Sequence, residues 1–303
     1  MASSTLKGID MPTTSHAAAY SFVERLAQDL KDARFELPAF PEAVLRIQRA
    51  LQSPDTGAGD LVPILSSDPG LAAKMLRVAN SAAFRPVSGE ITDLRNAVSR
   101  LGFNMIRTVA VEYALRQLRQ GEVRSPAVRA EIEVIWHASL QVASVSYVIA
   151  KHYSRVNADQ ALLTGLLHGL GRLYVVMRAE EMTDVSAVDI REVADGWQAT
   201  IGKAILESWG VPEALQHAVE HQDDIECEPG GAVNSAGPGV AADAVSLTAV
   251  LIAGKLLASE DGLSIDRDIP ALRWLNAVKS QGAAAVLADH DEEIRSLRAS
   301  FGE

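Results

Sequence analysis

The sequence contains a single cysteine, Cys227, among 303 residues. An internal disulfide and a metal site built from several thiolates are therefore excluded. The longest apolar stretch, Leu247–Ala258, is interrupted by Lys255 and is shorter than the ~20 residues that a bilayer-spanning helix needs. The N-terminus has no charged segment that leads into an apolar one, so secretion is not indicated. We therefore expect a cytoplasmic protein.

The sequence also lacks strand-like alternation of apolar and polar residues, and apolar spacings of three and four dominate instead. No segment repeats with a period of ~20–50 residues, which excludes a solenoid. Hydrophobic residues make up 48% of the chain and charged residues 22%, which is typical of a folded globular protein. The sequence therefore predicts an all-α, multi-helix globule.

The length is sufficient for about two domains of ~150 residues each. We predict a flexible tail over residues 1–20, an N-terminal helical subdomain over 21–121 and a second helical subdomain over 122–303. The segment 223–243 is rich in glycine, proline and acidic residues, which indicates an exposed loop before the C-terminal helices.

Several residues are typical of helix ends. Asp60, Thr92 and Asn157 are predicted N-caps, and Asp68 followed by a proline is a strong helix start. Gly102 is predicted to end a helix, because glycine adopts positive φ at no steric cost. Farther along the chain, separate helices are predicted over residues 190–195 and 199–209, and a single helix over 283–300.

The formal net charge of −11 argues against nucleic-acid binding over the whole surface, since phosphates would be repelled. The charge is uneven, because seven arginines and only two glutamates lie between residues 95 and 129. Such a segment is usually a solvated helix surface, but it could also contact an acidic partner. The candidate partner surface comprises Arg95, Arg100, Arg107, Arg116 and Arg119.

Three histidines, His137, His168 and His221, lie on separate helices with an apolar side. Side chains from different helices can converge in a bundle core and form a metal site. A hydrolytic metal site also needs carboxylates that neutralise and bridge the ions. The residue after His168 is Gly169, which supplies no ligand, and the next basic residue is Arg172, which binds anions but is not a base at neutral pH. For His137 and His168 we favour packing as core histidines that are hydrogen-bonded to a neighbour.

Six segments, in order, are similar to the HDOD domain family, whose members are degenerate relatives of the HD metal-dependent phosphohydrolases. The resemblance covers about residues 35–223. The segments are LPAFPEAVLRIQRAL, SSDPGLAAKMLRVANSAAF, ITDLRNAVSRLGFNMIRTVAV, WHASLQVASVSYVIA, ALLTGLLHGLGRLYVV and IGKAILESWGVPEALQHAVEHQ. The resemblance implies an N-terminal helical subdomain packed on an HD-like helical bundle.

The resemblance also implies that the catalytic set of the hydrolases is incomplete. The corresponding positions are His137, His168, Gly169, Arg172, Gln198, His221, Gln222 and Lys255. Gly169 stands in place of the metal-binding aspartate, and Lys255 in place of the final aspartate. A cation at that position would repel a divalent metal. Arg172 stands in place of a lysine, and Gln198 stands in place of a histidine. The family has two adjacent histidines where this chain has His221 and Gln222, so one of the two is kept.

The resemblance therefore implies a non-catalytic bacterial signal-transduction module that acts through contacts with a partner protein. No cofactor or metal is expected. The signal would arrive from a separate chain or from a small anionic ligand in a vestigial pocket with Arg172 and Lys255. The alternative is a residual metal-dependent phosphohydrolase that acts on nucleotides or cyclic dinucleotides, with metal at His137, His168 and His221.

Overall fold

The computed structural model describes residues 22–28, 31–32, 42–84, 89–120, 125–179, 187–225, 245–259, 269–278, 283 and 285–302. The predicted tail over residues 1–20 and most of the predicted loop over 223–243 lie outside this part of the chain. The proposed division at residue 121 also lies outside it and stays a prediction.

The described residues form helices and contain no strand, which confirms the predicted all-α class. A helical stretch at 22–28 precedes thirteen helices within the described ranges. These are α1 (Glu42–Ala50), α2 (Ala58–Ser66), α3 (Pro69–Asn80), α4 (Leu94–Gln120), α5 (Pro126–Tyr153), α6 (Ala158–Leu167), α7 (Leu170–Ala179), α8 (Ala187–Ser208), α9 (Glu213–Glu220), α10 (Leu247–Ala258), α11 (Pro270–Val278), α12 (Ala285–Asp289) and α13 (Asp291–Gly302).

Two of the predicted N-caps are confirmed and two are displaced. Asp68 accepts a hydrogen bond from the Leu71 amide at 3.0 Å, and Asn157 caps α6 in the same way. Asp60 lies inside the first turn of α2 and accepts from the Gly57 amide at 2.8 Å, so Gly57 is the N-cap. Asp93, one residue beyond the predicted Thr92, caps α4. Such shifts are expected, because any short polar side chain near a helix start can accept its unpaired amides.

Gly102 interrupts α4 with φ 74° and ψ 166°, as its predicted role as a helix end requires. Two predicted helix boundaries are wrong. The predicted helices over 190–195 and 199–209 are one helix, α8, because Gly196 continues it at a cost of only about 1 kcal/mol relative to alanine. The predicted helix over 283–300 is instead two, α12 and α13. Acidic residues fill the first turn of α13, where they complement the positive end of its dipole.

Helix α5 lies at the centre of the fold, where it packs against α6, α7, α10 and α13. It is long and apolar enough to cross a membrane, but two thirds (67%) of its most apolar window is buried inside the protein. Its composition is therefore explained by its place in the core. The main hydrophobic cluster extends from the helical stretch at residue 22 through α9, and a second one surrounds the C-terminal half of α5.

A buried ion pair joins α3 to α4, and its lysine also contacts the last helix. The Lys74 ammonium lies 3.0 Å from the Glu112 carboxylate, and both side chains are almost fully buried. Burial lowers the pKa of Lys74 and raises the pKa of Glu112, while the attraction between the two groups opposes both shifts. Lys74 also donates to the Phe301 carbonyl at 3.4 Å, near the C-terminus of α13. The end of the chain is thus anchored to its N-terminal half.

The contact between α5 and α6 depends on Gly165. A β-carbon at this position would collide with the backbone of Ala143 on α5. We expect Gly165→Ala to lower the free energy of unfolding by about 3 kcal/mol or more, because two packed backbones must separate. Urea denaturation followed by circular dichroism measures the change.

Gly196 supplies the matched control for this prediction. It is exposed inside α8, and a β-carbon there would meet no atom within 4 Å. Gly196→Ala should stabilise the protein by about 0.5–1 kcal/mol, since alanine favours the helix and restricts the unfolded chain. Equal effects of the two substitutions would contradict the proposed close contact.

Candidate functional site

His168 follows the last residue of α6 and is buried, with 8% of its surface exposed. Its Nδ1 lies 2.6 Å from the Gly165 carbonyl oxygen. Because a carbonyl only accepts, Nδ1 carries the hydrogen and donates it. Burial, together with the positive charge of Lys255, lowers the pKa of His168 to about 4. The imidazole is therefore neutral at pH 7.

Gly169 faces α5. A β-carbon at residue 169 would lie 2.6 Å from the Ser139 Oγ and 3.1 Å from a methyl carbon of Ile135. Ser139 is itself buried. The space that a side chain at residue 169 needs is therefore already filled from α5.

Lys255 enters this site from α10. Its ammonium donates to Gln222 Oε1 at 3.0 Å and to Asp223 Oδ1 at 2.5 Å. Gln222 in turn donates from Nε2 to the His168 carbonyl at 3.2 Å, and Gln198 donates to the other oxygen of Asp223 at 3.3 Å. Burial lowers the pKa of Lys255, against the raising effect of the Asp223 carboxylate. The five residues form one connected hydrogen-bond network.

Arg172 lies on α7 between two carboxylates. Its guanidinium donates to Glu131 on α5 at 3.1 Å and to Asp195 on α8 at 3.0 Å. Both predicted anion-binding cations, Arg172 and Lys255, are therefore neutralised by acidic side chains of the protein itself. A phosphate would have to displace these carboxylates.

The three histidines do not converge, and packing as a core histidine is confirmed for His168 and wrong for His137. His137 is 64% exposed and lies 4.0 Å from Glu133 on the same helix. It falls on the outer side of α5, because the helical period turns Ile135 and Ser139 inward and residue 137 away from them. His221 is 44% exposed beside Glu220, and only His168 of the three lies inside the site.

The five arginines of the candidate partner surface also do not share one face. Arg95 and Arg100 are exposed, whereas Arg107, Arg116 and Arg119 are partly buried. Arg119 contacts the Glu133 carboxylate at 3.3 Å and lies 4.9 Å from the Trp136 ring. The kink at residue 102 and the helical rotation of 100° per residue distribute these side chains around α4.

The acidic residues of the site were not predicted from the sequence. Asp223 lies within electrostatic reach of the His168 imidazole. Asp223 immediately follows Gln222, so its position just after α9 was the available signal. Glu131 and Asp195 have no comparable signal, because helices are rich in surface acids and only the packing of α5, α7 and α8 selects these two.

The donors of this site do not fit the pair of divalent ions that HD hydrolases use. Among the described residues of the site, His168 supplies the one imidazole, residue 169 is a glycine, and both oxygens of the Asp223 carboxylate are bound, by Lys255 and by Gln198. Two-metal hydrolysis needs several anionic or neutral donors around ions ~3.5–4 Å apart. Within the described part of the chain, the arrangement stabilises the contacts among α5 to α10 and offers no bridging ligand.

These features define an all-helical protein with the layout of an HD-type bundle. The model of the HDOD domain family matches residues 37–225. The chain therefore belongs to the HDOD domain family, as the sequence resemblance indicated. An uncharacterized protein of Treponema pallidum (strain Nichols) is 25% identical over 221 residues, which cover 68% of this chain and 41% of that protein. The chain thus spans less than half the length of this relative.

Solved structures share the fold. A candidate metal-dependent phosphohydrolase from Shewanella amazonensis SB2B superposes with a TM-score of 0.71 at 22% identity, covering 94% of this chain and 99% of that one. An HDOD domain protein with unknown function from Geobacter sulfurreducens gives 0.62 at 20% identity over 96% and 98%. A candidate signal transduction protein from Marinobacter aquaeolei VT8 gives 0.52 at 20% identity over 94% and 66%.

The lowered pKa of His168 predicts a specific loss of stability in acid. Between pH 6.5 and about pH 4 the unfolded chain protonates this histidine and the folded protein does not. The contribution of neutral His168 to the free energy of unfolding is complete above pH 6.5 and is lost as the pH falls toward about 4. Full loss amounts to about 3 kcal/mol, since one pKa unit corresponds to about 1.4 kcal/mol.

Urea denaturation from pH 7 to pH 4 measures this contribution in the wild type and in His168→Asn, whose amide can still donate to the Gly165 carbonyl. Between pH 7 and pH 4, the free energy of unfolding of the variant should fall by about 3 kcal/mol less than that of the wild type. His221→Asn, which changes an exposed histidine, should follow the wild type. Parallel curves for the wild type and His168→Asn would show that His168 titrates normally in the folded protein.

Proposed function

We propose that this HDOD domain is a non-catalytic module of bacterial signal transduction that acts by binding a partner protein. The observation that carries the proposal is the position of Lys255. Its ammonium group enters the site of the degenerate hydrolase and is bound there to Asp223 and Gln222. A cation in that place opposes the binding of divalent ions, which the hydrolytic chemistry requires.

The internal pairing of the other charged groups supports the same proposal. Arg172 is bound by Glu131 and Asp195, and His168 is neutral and bonded to the backbone. The site therefore joins six helices, α5 to α10, instead of presenting reactive groups to a substrate. A shared site of this kind lets a contact on one helix influence its neighbours, which suits a module that transmits a signal. The name of the Marinobacter aquaeolei relative, a signal transduction protein, agrees with this role.

The first test concerns catalysis. We expect His168→Asn to leave the iron, manganese and zinc content of the full chain, purified without chelators, unchanged, because the His168 site holds no metal. The full chain should hydrolyse bis(p-nitrophenyl) phosphate no faster than buffer, with or without added Mn²⁺, because the donor set lacks a bridging carboxylate. Elemental analysis and release of p-nitrophenolate measure the two properties.

Two variants make this test decisive. His168→Asn removes the only site imidazole, whereas His137→Asn alters an exposed histidine of the same predicted set. Turnover that His168→Asn abolishes and His137→Asn preserves would overturn the proposal in favour of a phosphohydrolase. Gly169→Asp should not create activity, because its β-carbon meets the Ser139 Oγ.

The second test concerns the partner. Arg95 and Arg100 are the exposed members of the candidate surface, and an acidic partner would contact them there. Their simultaneous reversal, Arg95→Glu with Arg100→Glu, should remove a salt-sensitive protein from affinity capture in the native host, since opposite charges steer and orient association.

Arg295→Glu supplies the control, because Arg295 is 68% exposed on α13 and pairs only locally with Asp291. Quantitative mass spectrometry should show the same partner bound to the wild type and to this control. Equal recovery with the double reversal would place the interface elsewhere on the protein.

A further inference from the structure

A second cluster of titratable side chains lies where the end of α5 meets the start of α13. It is about 20 Å along α5 from Ser139, at 1.5 Å per residue, and it shares no residue with the site around His168. His152 Nε2 is 2.8 Å from Glu293 Oε2, and His290 Nδ1 is 3.7 Å from the same oxygen. Within the described part of the chain, no other three histidine, cysteine or acidic donors all lie within 4.8 Å of one another.

Neighbouring residues orient these donors. The Tyr153 hydroxyl is 2.9 Å from His290 Nε2, so the other ring nitrogen, Nδ1, faces the carboxylate. Lys151 donates to Glu293 Oε1 at 2.6 Å, which leaves Oε2 toward the two rings. Metal-binding histidines and carboxylates are held in the same manner by outer partners, which select the ring nitrogen and fix its direction.

We propose that His152, His290 and Glu293 bind one Zn²⁺ ion, with water as the fourth ligand. Two imidazoles and one carboxylate are a common ligand set for zinc, and imidazole nitrogen favours zinc over Mg²⁺ or Ca²⁺. The ion fastens the start of α13 to the end of α5. At its other end, α13 is held by the bond from Lys74 to the Phe301 carbonyl.

The distances are compatible with this coordination. Ligand atoms of a tetrahedral zinc ion are about 3.4 Å apart, given bonds of about 2.0–2.1 Å. The two separations from Glu293 Oε2, 2.8 and 3.7 Å, lie on either side of that value. The rings are stacked, with centroids 4.3 Å apart and planes at 21°, so metal binding requires them to turn about χ2. That torsion is soft for histidine, and the three side chains are 19–33% exposed, so the ion can enter from solvent.

The test is a titration of the full chain, stripped with EDTA and dialysed, with ZnCl₂ alone in an isothermal calorimeter. We expect one equivalent per chain at this site and no competition from a large excess of Mg²⁺ or Ca²⁺. His152→Gln and Glu293→Gln should each weaken binding at least about 100-fold, and Tyr153→Phe about 10- to 100-fold, as loss of an outer partner does. Tyr153→Phe keeps all three ligands and the packed ring, so it remains informative if a ligand variant releases α13.

The matched control is His217→Ala, because His217 and His221 form the other close histidine pair, with ring centroids 4.4 Å apart. This variant should bind zinc at the proposed site as the wild type does. Circular dichroism in EDTA should show the same helix content for every protein compared. Absence of saturable zinc binding would overturn the proposal, as would binding that His217→Ala abolishes and His152→Gln and Tyr153→Phe leave unchanged. None of these outcomes bears on the proposed signalling function, whose tests concern other residues.

Discussion

The close approach of other helices to α5 is the constraint on which the structure depends. Small residues at four positions permit it: Gly165 of α6 lies against the Ala143 backbone, and Gly254 of α10 lies against the Ser146 side chain. These contacts thereby bring together His168, which follows α6, and Lys255, which follows Gly254. The position of the central site thus follows from backbone packing. Two helices approach closely where no large side chain separates them, and their densely packed atoms then gain dispersion contacts.

The charges of the site are satisfied within the protein, which determines what the site can do. Lys255 and Arg172 each contact carboxylates from other helices, and burial keeps His168 neutral. Breaking one such pair would leave a partly buried charge without its partner, which is destabilising. The arrangement therefore favours a fixed structure that holds six helices in register, whereas a hydrolytic centre requires unpaired donors that can receive ions and water.

Local sequence signals predicted the helices well and their relative rotations poorly. Asp68 and Asn157 accept hydrogen bonds from backbone amides three residues away, and Gly102 ends a helical segment through its own positive φ. These effects are local and require no tertiary contact. The exposure of His137 was not predicted, because a helical side chain turns by 100° per residue and the sequence does not specify which face the core buries. For the same reason, a run of arginines along α4 does not specify which of them are exposed, and only Arg95 and Arg100 of the five are.

The amino-acid sequence alone determined the all-α class, the order of the helices, the membership of the HDOD family, and the presence of a glycine after His168 and of a lysine in the apolar segment Leu247–Ala258. Tertiary structure alone decided which groups meet. Asp223 pairs with Lys255 across 32 residues, and Glu293 meets His152 across 141. Such pairs depend on how the helices pack and on how each is rotated about its axis. The whole core sets this packing and rotation, because each helix must bury its apolar face against its neighbours.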